Sequence, residues 1–280
     1  MFEIQEQEIK KNFVSISEWV EKAKSDPNKY LERSVTEVIL TTIGRIHPFK
    51  DHLYLKGGIL MAVLYNSPRN TSDIDYTANA KPNPEYAYDL QNKLNEQFPS
   101  VCADLGYPYL RCNAQSYKLR PKGKGFANFQ APAIEMKIGY VKRGTPGESK
   151  FEKNMSSDVI SIDISFNEPI SNIQIIYNEN SSVKAYSLID LISEKLRSLL
   201  QQLDRNRRRR QDLYDLYSII KFFHFDDEEM YKILNVFKKK CEKRDIKPTS
   251  NSFDDEKLIE VSKIGELPDF EDCFNEVKLF

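Results

Sequence analysis

The pattern of apolar and polar residues changes once along the chain. Residues 5–46 place apolar side chains at three- and four-residue spacing, which predicts helices. Alternation typical of strands follows, in DIDYTA, residues 115–141, VISIDISF (159–166) and IQIIY (173–177), with a helix predicted at 84–98. From residue 186 onward the strand signals stop, and helical spacing predicts helices at 187–203, 210–223 and 227–241.

This order of elements predicts an α+β fold with two domains. Residues 1–180 are expected to form a mixed sheet flanked by helices, and residues 181–280 a helical lobe. The composition, 40% hydrophobic and 30% charged, is that of an ordinary globular protein. The net charge of −1 excludes a global basic field, so contacts to nucleic acids would have to come from local clusters.

Membrane and secretory classes are not indicated. No run approaches the roughly 18 consecutive apolar residues of a membrane span, and the first residues are too acidic for a secretory signal. The four cysteines lack the CxxC spacing of a zinc site and give no disulfide framework. We therefore expect a reduced, cytoplasmic protein with no membrane contact.

Two aspartates come soon after an adjacent pair of glycines. In a strand, Asp73 and Asp75 point to the same face and lie about 7 Å apart at the Cα level. Like charges at that distance repel unless solvent or a cation separates them, and Mg²⁺ typically binds one or two carboxylates together with substrate phosphates. An Asp-x-Asp pair also occurs in many surface loops, so the pair alone favours the plainer interpretation.

A third carboxylate lies in the strongest predicted strand. In VISIDISF, Asp163 is in the middle of the polar face, opposite a face of isoleucines and Phe166. It is either part of a solvated face or the third carboxylate of a two-metal site. Glu135 is the competing candidate, ranked lower because Lys137 is placed to pair with it.

A lysine interrupts the apolar stripe of the helix predicted at 187–203. Lys195 takes the central position of a stripe that contains Leu188, Leu191, Ile192 and Leu199. A lysine on the core side is costly without a partner. Its ammonium either extends to solvent or points into a cleft between the lobes to meet a triphosphate, and the helix alone does not decide between these.

The next helix follows a run of arginines, Arg207 to Arg210. Asp212 lies at the border of its buried stripe, where an aspartate near a helix N-terminus also favours the helix dipole. A buried-face lysine, an arginine cluster and a border aspartate together are unusual for a structural bundle.

In this order, the motifs resemble the nucleotidyltransferase toxins of the AbiEii/AbiGii type, the toxin halves of type IV toxin–antitoxin and abortive-infection systems. The resemblance covers about residues 50–225. It rests on KGG at 56–58, Arg69 with SDID at 72–75, Asp163 in ISIDISF, Lys195 in ISEKLRSLL, and RRRRQDLYDLY. One departure is Gln211, where many relatives have arginine, so that role passes to Arg210 or Arg208.

The resemblance implies a polymerase-β-like nucleotidyltransferase core with a C-terminal helical lobe. It implies that Asp73, Asp75 and Asp163 hold Mg²⁺ or Mn²⁺, that Asp163 orients the acceptor hydroxyl, and that Lys195 neutralises the leaving pyrophosphate. Asp212 would position that lysine or an arginine. The residues expected to bind the nucleoside triphosphate are Lys56, Gly57, Gly58, Arg69, Ser72, Lys195 and Arg210.

The implied function is a toxin that transfers a nucleotide from a nucleoside triphosphate to an acceptor such as the tRNA 3′ end or a protein. A cognate antitoxin would act without a stable complex. The basic segment SYKLRPKGKG and the arginine run are candidate RNA contacts, or solvated loops. Two alternatives stay open: a binding module of the same fold that transfers nothing, and a small-molecule nucleotidyltransferase of the antibiotic-modifying kind.

Overall fold

The structure, a computed structural model, describes residues 10–13, 15–65, 67, 71–178, 181–202, 209–254, 258 and 277. The chain divides into two compact units. Unit 1 comprises residues 1–168 and 173–185, and unit 2 comprises residues 169–172 and 186–280. The predicted boundary was residue 180, whereas residues 181–185 belong to unit 1 and the short segment 169–172 belongs to unit 2.

Unit 1 contains most of the strands. Its elements are β1 (Lys10–Phe13), α1 (Ile16–Glu21), α2 (Pro27–Arg45), α3 (Phe49–His52), β2 (Leu53–Lys56), α4 (Gly57–Leu64), β3 (Ile74–Ala78), α5 (Glu85–Asp104), β4 (Leu110–Arg120), β5 (Ala133–Lys142), α6 (Glu148–Phe151), β6 (Val159–Phe166), β7 (Ile173–Asn178) and β8 (Ser181–Tyr186). A 3₁₀ turn, Gly123–Gly125, lies between β4 and β5.

Among the described residues, the strands form one mixed sheet of eight, in the order β1-β7-β8-β2-β3-β6-β5-β4. β3 and β6 are parallel, whereas β2 pairs with β3, and β5 with both β4 and β6, in antiparallel fashion. The predicted α+β class, a mixed sheet with a helical C-terminal part, is confirmed.

Strand β6 forms because its side chains alternate between apolar and polar. In β6, the isoleucines and Phe166 are buried, while the polar positions between them are only half-buried. α5 covers the sheet with a stripe at helical spacing, including the fully buried Leu90, Leu94 and Phe98. The polar face of β6 is thereby left for charged side chains.

Two local predictions were wrong. Residues 10–13, expected within a helical region, form β1, which pairs in parallel with β7. Residues 181–186, assigned to the start of the helical lobe with no strand predicted, form β8, in which Val183 and Ala185 are buried. Both strands are short and rich in polar residues, so pairing with other strands of the sheet, and not their own pattern, determines their conformation.

Unit 2 is helical. Its helices are α7 (Leu188–Leu200), α8 (Arg210–Phe222) and α9 (Asp227–Glu242), and a 3₁₀ turn follows at Ser252–Asp254. A capping box, in which Asp226 and Glu229 bind each other's backbone N–H, fixes the start of α9. α7 packs against both other helices through buried leucines and isoleucines.

The segment 169–172 is held in unit 2 by buried charges. The Asp190 carboxylate of α7 accepts hydrogen bonds from the backbone N–H groups of Ser171 (3.3 Å) and Asn172 (2.6 Å). Lys240 of α9 lies 3.0 Å from the same carboxylate and donates to the Pro169 carbonyl at 2.9 Å. Across the described residues, no helix combines the length and apolarity that crossing a membrane would require.

Candidate active site

The junction between β2 and α4 brings backbone against a carboxylate. β2 ends at Lys56 and α4 begins at Gly57, whose φ is +69°. A Cβ at Gly57 would overlap the Asp75 carboxylate and lie 2.9 Å from the Asp75 Cβ. Glycine is therefore required twice, for its positive φ and for this close approach. Lys56, the N-cap residue, makes no capping side-chain hydrogen bond.

Four charged residues form a row across the sheet. Lys56 of β2 lies opposite Asp75 of β3, Asp75 lies beside Asp163 of β6, and Asp163 lies opposite Glu135 of β5. Neighbouring strands are about 4.8 Å apart, and side chains at paired positions share a face. The row thus gathers three carboxylates on one face of unit 1, while Ile74 on the other face is buried.

Asp73 and Ser72 lie just outside the row. Asp73 precedes β3 by one residue and is exposed, as is Ser72, whereas Asp75 within the strand is half-buried. The structure thus places Asp73 two residues from Asp75 at the exposed end of the strand. Arg69, predicted to bind nucleotide, lies outside the described residues.

Arg120, at the end of β4, engages the carboxylates at the far end of the row. Its guanidinium forms an ion pair with Glu135, and its Nη2 lies 3.7 Å from Asp163 Oδ1. The hydrogen bond from Arg120 lowers the pKa of Glu135, and the same bond raises the pKa of Arg120, with a further contribution from the charge of Asp163. Glu135 is therefore paired mainly with Arg120 and not with Lys137.

The donor set allows a metal ion only with help from a substrate. In the part of the chain that the structure describes, no three Asp, Glu, His or Cys side chains are grouped so as to hold a metal ion. Mg²⁺ commonly takes one or two protein carboxylates and fills its octahedron with substrate phosphates and water. Asp73 and Asp75, beside the close backbone approach of Gly57, fit that pattern.

Lys56 itself is turned into the protein. It is 8% exposed, and its Nζ lies 2.5 Å from Glu168 Oε2 and donates to Ser165 Oγ at 2.9 Å. Thr77 Oγ1 donates to the same Glu168 oxygen at 3.0 Å. Lys56 was predicted to bind nucleotide, but the structure gives its charge a buried carboxylate partner. The sequence carries no signal for Glu168, which follows β6 in a non-repeating segment.

In unit 2, the structure brings Lys195 and Asp212 together and adds Asp215. Lys195 is 5% exposed, so it does not extend to solvent. Its Nζ lies 3.1 Å from Asp212 Oδ1 and 2.6 Å from Asp215 Oδ2. Arg209 lies 3.8 Å from the other Asp212 oxygen. Asp215 was noted in the sequence but given no role, although its spacing of three from Asp212 marks the same helix face.

Arg210 begins α8 and is half-buried. Within the described residues, its Nε is buried with no hydrogen-bond acceptor. Arg207 and Arg208 lie outside the described residues, so the choice between Arg208 and Arg210 stays a prediction.

A family model described as "Nucleotidyl transferase AbiEii toxin, Type IV TA system" matches residues 39–277, most of the chain. The match puts the chain in the class of nucleotidyltransferases. More narrowly, the chain belongs to the AbiEii toxin family of type IV toxin–antitoxin systems, and the resemblance seen in its motifs is confirmed.

Two solved structures are similar to the chain at low identity. JHP933 from Helicobacter pylori has 14% identity and a TM-score of 0.47, with 89% of this chain and 88% of that chain covered. An antigenic nucleotidyltransferase-like protein from Paracoccidioides brasiliensis has 14% identity and a TM-score of 0.36, with 86% and 99% covered. A comparison with curated proteins gives no match.

Proposed function

We propose that the chain is a metal-dependent nucleotidyltransferase that acts as a toxin by transferring a nucleoside monophosphate from a triphosphate to an acceptor. The tRNA 3′ end is the acceptor we favour. The observation that carries the proposal is the parallel register of β3 and β6, which places Asp75 beside Asp163. The Asp75 carboxylate also lies against the backbone of Gly57. Membership of the AbiEii family supports the toxin role.

The proposed division of labour follows from the geometry of unit 1. Mg²⁺ or Mn²⁺, when bound with the nucleotide, would supply charge neutralisation at the phosphates, held by Asp73 and Asp75. The backbone at Gly57 and Gly58 lets a phosphate approach the start of α4, where the helix dipole favours an anion. Asp163, half-buried beside Asp75, orients the acceptor hydroxyl for attack on the α-phosphate.

Arg120 has a part in this scheme. Its guanidinium lies 3.7 Å from the carboxylate that is assigned to the acceptor hydroxyl. We infer that Arg120 moves away from Asp163, or shares it, when a substrate enters. Arg120 would then remain on Glu135, whose carboxylate it already binds.

Two cations of unit 2 have roles that the AbiEii resemblance implies. Lys195 is assigned to the phosphates of the leaving pyrophosphate, with its ammonium oriented by Asp212 and Asp215. Arg210, with a buried Nε that has no acceptor among the described residues, is the arginine we favour for a substrate contact. An antitoxin that acts without a stable complex, and a cytoplasmic location, complete the proposal.

Transfer of label from a nucleoside triphosphate to a macromolecule tests this proposal. The full chain is incubated with each of the four α-labelled nucleoside triphosphates, Mg²⁺ and total tRNA or cell lysate. We expect label on a macromolecule with wild type and a loss of at least a hundredfold with Asp75→Asn or Asp163→Asn, since each removes a charge of the row. Asp158→Asn is the matched control, because Asp158 is exposed and lies just before β6, outside the row.

The outcomes separate the alternatives. Triphosphate binding without label on any macromolecule would favour the binding module. Label on a small molecule alone would favour the antibiotic-modifying class. Equal transfer by wild type and Asp75→Asn would refute the proposed site, and equal growth inhibition when the two are expressed in bacteria would refute the toxin mechanism.

A further inference from the structure

Two cysteines of unit 1 lie in contact, away from the row of charged residues. Cys102 is near the end of α5 and Cys112 is the third residue of β4. Both are free thiols and buried, with 3% and 9% of their surface exposed. Each thiol shifts the pKa of the other, as side chains that lie close together do. The contact joins two elements that are adjacent in the chain and packed together.

The backbones that carry these thiols are held in place. Within α5, Asn95 accepts the backbone N–H of Ala114 at 2.7 Å, and Gln91 donates to the Ala114 carbonyl at 2.7 Å. The Tyr107 N–H donates to the Cys102 carbonyl at 2.8 Å. These bonds join α5 to β4 at Ala114 and hold the connecting turn against Cys102, so they fix the backbone segments that carry the two thiols.

Both cysteines line one cavity. Its volume is about 380 Å³, and its lining includes Cys102, Cys112, Phe151 and two arginines, Arg111 and Arg143. Arg111 is neutralised by ion pairs with glutamates of the α6 region. The cavity is therefore large enough for a peroxide, and of its two arginines Arg111 is the one that forms direct ion pairs with these glutamates.

The two thiols differ in their acidity. The pKa of Cys102 is lowered, chiefly by the hydrogen bond from Cys112 and further by the positive charge of Arg143. The pKa of Cys112 is raised by the same hydrogen bond and by burial. Since the thiolate is the reactive form, Cys102 is the expected nucleophile, and Cys112, which stays protonated, is the expected second thiol.

We propose that Cys102 and Cys112 form an oxidant-sensitive dithiol that closes to a disulfide when a hydroperoxide enters the cavity. The Cys102 thiolate attacks the O–O bond, takes one oxygen as sulfenic acid and releases hydroxide, or an alkoxide from an organic peroxide. The Cys112 thiol then attacks the Cys102 sulfur, and the S–OH bond breaks to give the disulfide and water. Two electrons pass from the sulfurs to the peroxide. This inference does not depend on the proposed nucleotidyl transfer.

Cys241 provides an internal comparison. It is fully buried in α9, and burial raises its pKa to about 12. Its thiolate is scarce near neutral pH, so we expect Cys241 to remain reduced under conditions that oxidise the pair.

The test uses the reduced full chain and hydrogen peroxide. After brief oxidation, free thiols are alkylated, the protein is digested without reductant, and the peptides are identified by mass. We expect the peptides of Cys102 and Cys112 to be joined, with the loss of two hydrogens, while Cys241 is alkylated. Dimedone, which reacts with sulfenic acids and not with thiols, should label Cys102 when Cys112→Ala removes the second thiol, because the sulfenic acid then persists.

A matched pair of variants tests the role of charge. Arg143→Gln should slow oxidation severalfold, whereas Arg111→Gln, which lines the same cavity but is paired with glutamates, should change the rate little. Recovery of both cysteines as separate alkylated peptides, or of separate peptides bearing only added oxygen, would overturn the proposal. Oxidation of Cys241 at the rate of Cys102 would do the same, and these readings on wild type require no variant to fold.

Discussion

The ion pair between Lys56 and Glu168 makes a prediction about stability that is independent of catalysis. Both side chains are 10% exposed, and the carboxylate also accepts from Thr77. Glu168→Gln preserves the shape and the hydrogen bond to Thr77 but removes the negative charge that faces the Lys56 ammonium. A buried charge deprived of its partner typically costs about 3–5 kcal/mol.

The exposure of the pair sets the expected size. Because about a tenth of each side chain still meets solvent, we expect the lower end, about 3 kcal/mol for Glu168→Gln or for Lys56→Met. In a domain of this size each kcal/mol corresponds to about 2–4 °C in Tm, so the expected fall is about 10 °C. The double variant Lys56→Met/Glu168→Gln should recover much of the loss, since no buried ammonium then remains.

Urea denaturation and thermal unfolding of the four proteins measure this coupling as a double-mutant cycle. The natural control is the exposed ion pair of Lys24 with Glu21, whose removal should change Tm very little. Strictly additive single effects at Lys56 and Glu168 would refute the reasoning, because the two charges would then not stabilise each other. So would a cost below about 1 kcal/mol for Glu168→Gln.

Three further predictions concern other parts of the site. Gly57→Ala should abolish transfer and should lower Tm by more than the control Gly106→Ala. Both glycines have positive φ, but only at Gly57 would the added Cβ overlap a neighbouring carboxylate. Equal losses of Tm in the two variants would contradict this prediction. The folded pKa of Glu135 lies below its ordinary 4.5, so the stabilisation by this carboxylate is present above pH 4.5 and is lost as the pH falls below it. The difference in unfolding free energy between wild type and Glu135→Gln should therefore shrink between roughly pH 6 and roughly pH 3. A constant difference would count against this prediction. Lys195→Met should destabilise unit 2, measured by urea unfolding, and Lys195→Met/Asp215→Leu should restore much of that loss; no restoration would show that the charges are not coupled.

The fold was predictable where side-chain periodicity is strong. β6 was predicted at the residues where it lies, and α8 and α9 within one residue of their ends, because long amphipathic patterns report one buried face. α5 continues beyond its predicted end through Pro99, since tertiary packing of its apolar stripe outweighs the break that proline favours. The full pairing order was not predictable, because three of its pairs, β1 with β7, β2 with β8 and β3 with β6, join strands that are distant in sequence.

In the candidate site, too, local periodicity predicted some features, and others depend on pairing between distant strands. The face on which Asp75 and Asp163 lie follows from alternation within each strand, so both were selected from the sequence. Their adjacency depends on the parallel register of β3 and β6, which no local pattern specifies. Arg120 was classed with a basic surface segment, although it lies at the end of the strand whose neighbour carries Glu135.

The two lysines show most clearly what periodicity leaves out. Lys56 and Lys195 stand out because each is a charge in apolar surroundings, and sequence assigned both to substrate phosphates. In the structure each also has an acidic partner, Glu168 from beyond β6 for Lys56 and Asp215 from the next helix for Lys195. Since a single lysine substitution leaves a buried carboxylate exposed to the apolar interior, loss of activity in such a variant does not distinguish a phosphate contact from misfolding. Charge-balanced double variants separate misfolding from a role in the site, because they restore stability while the lysine remains absent; activity that stays lost in a stable double variant then belongs to the lysine–carboxylate pair and not to misfolding.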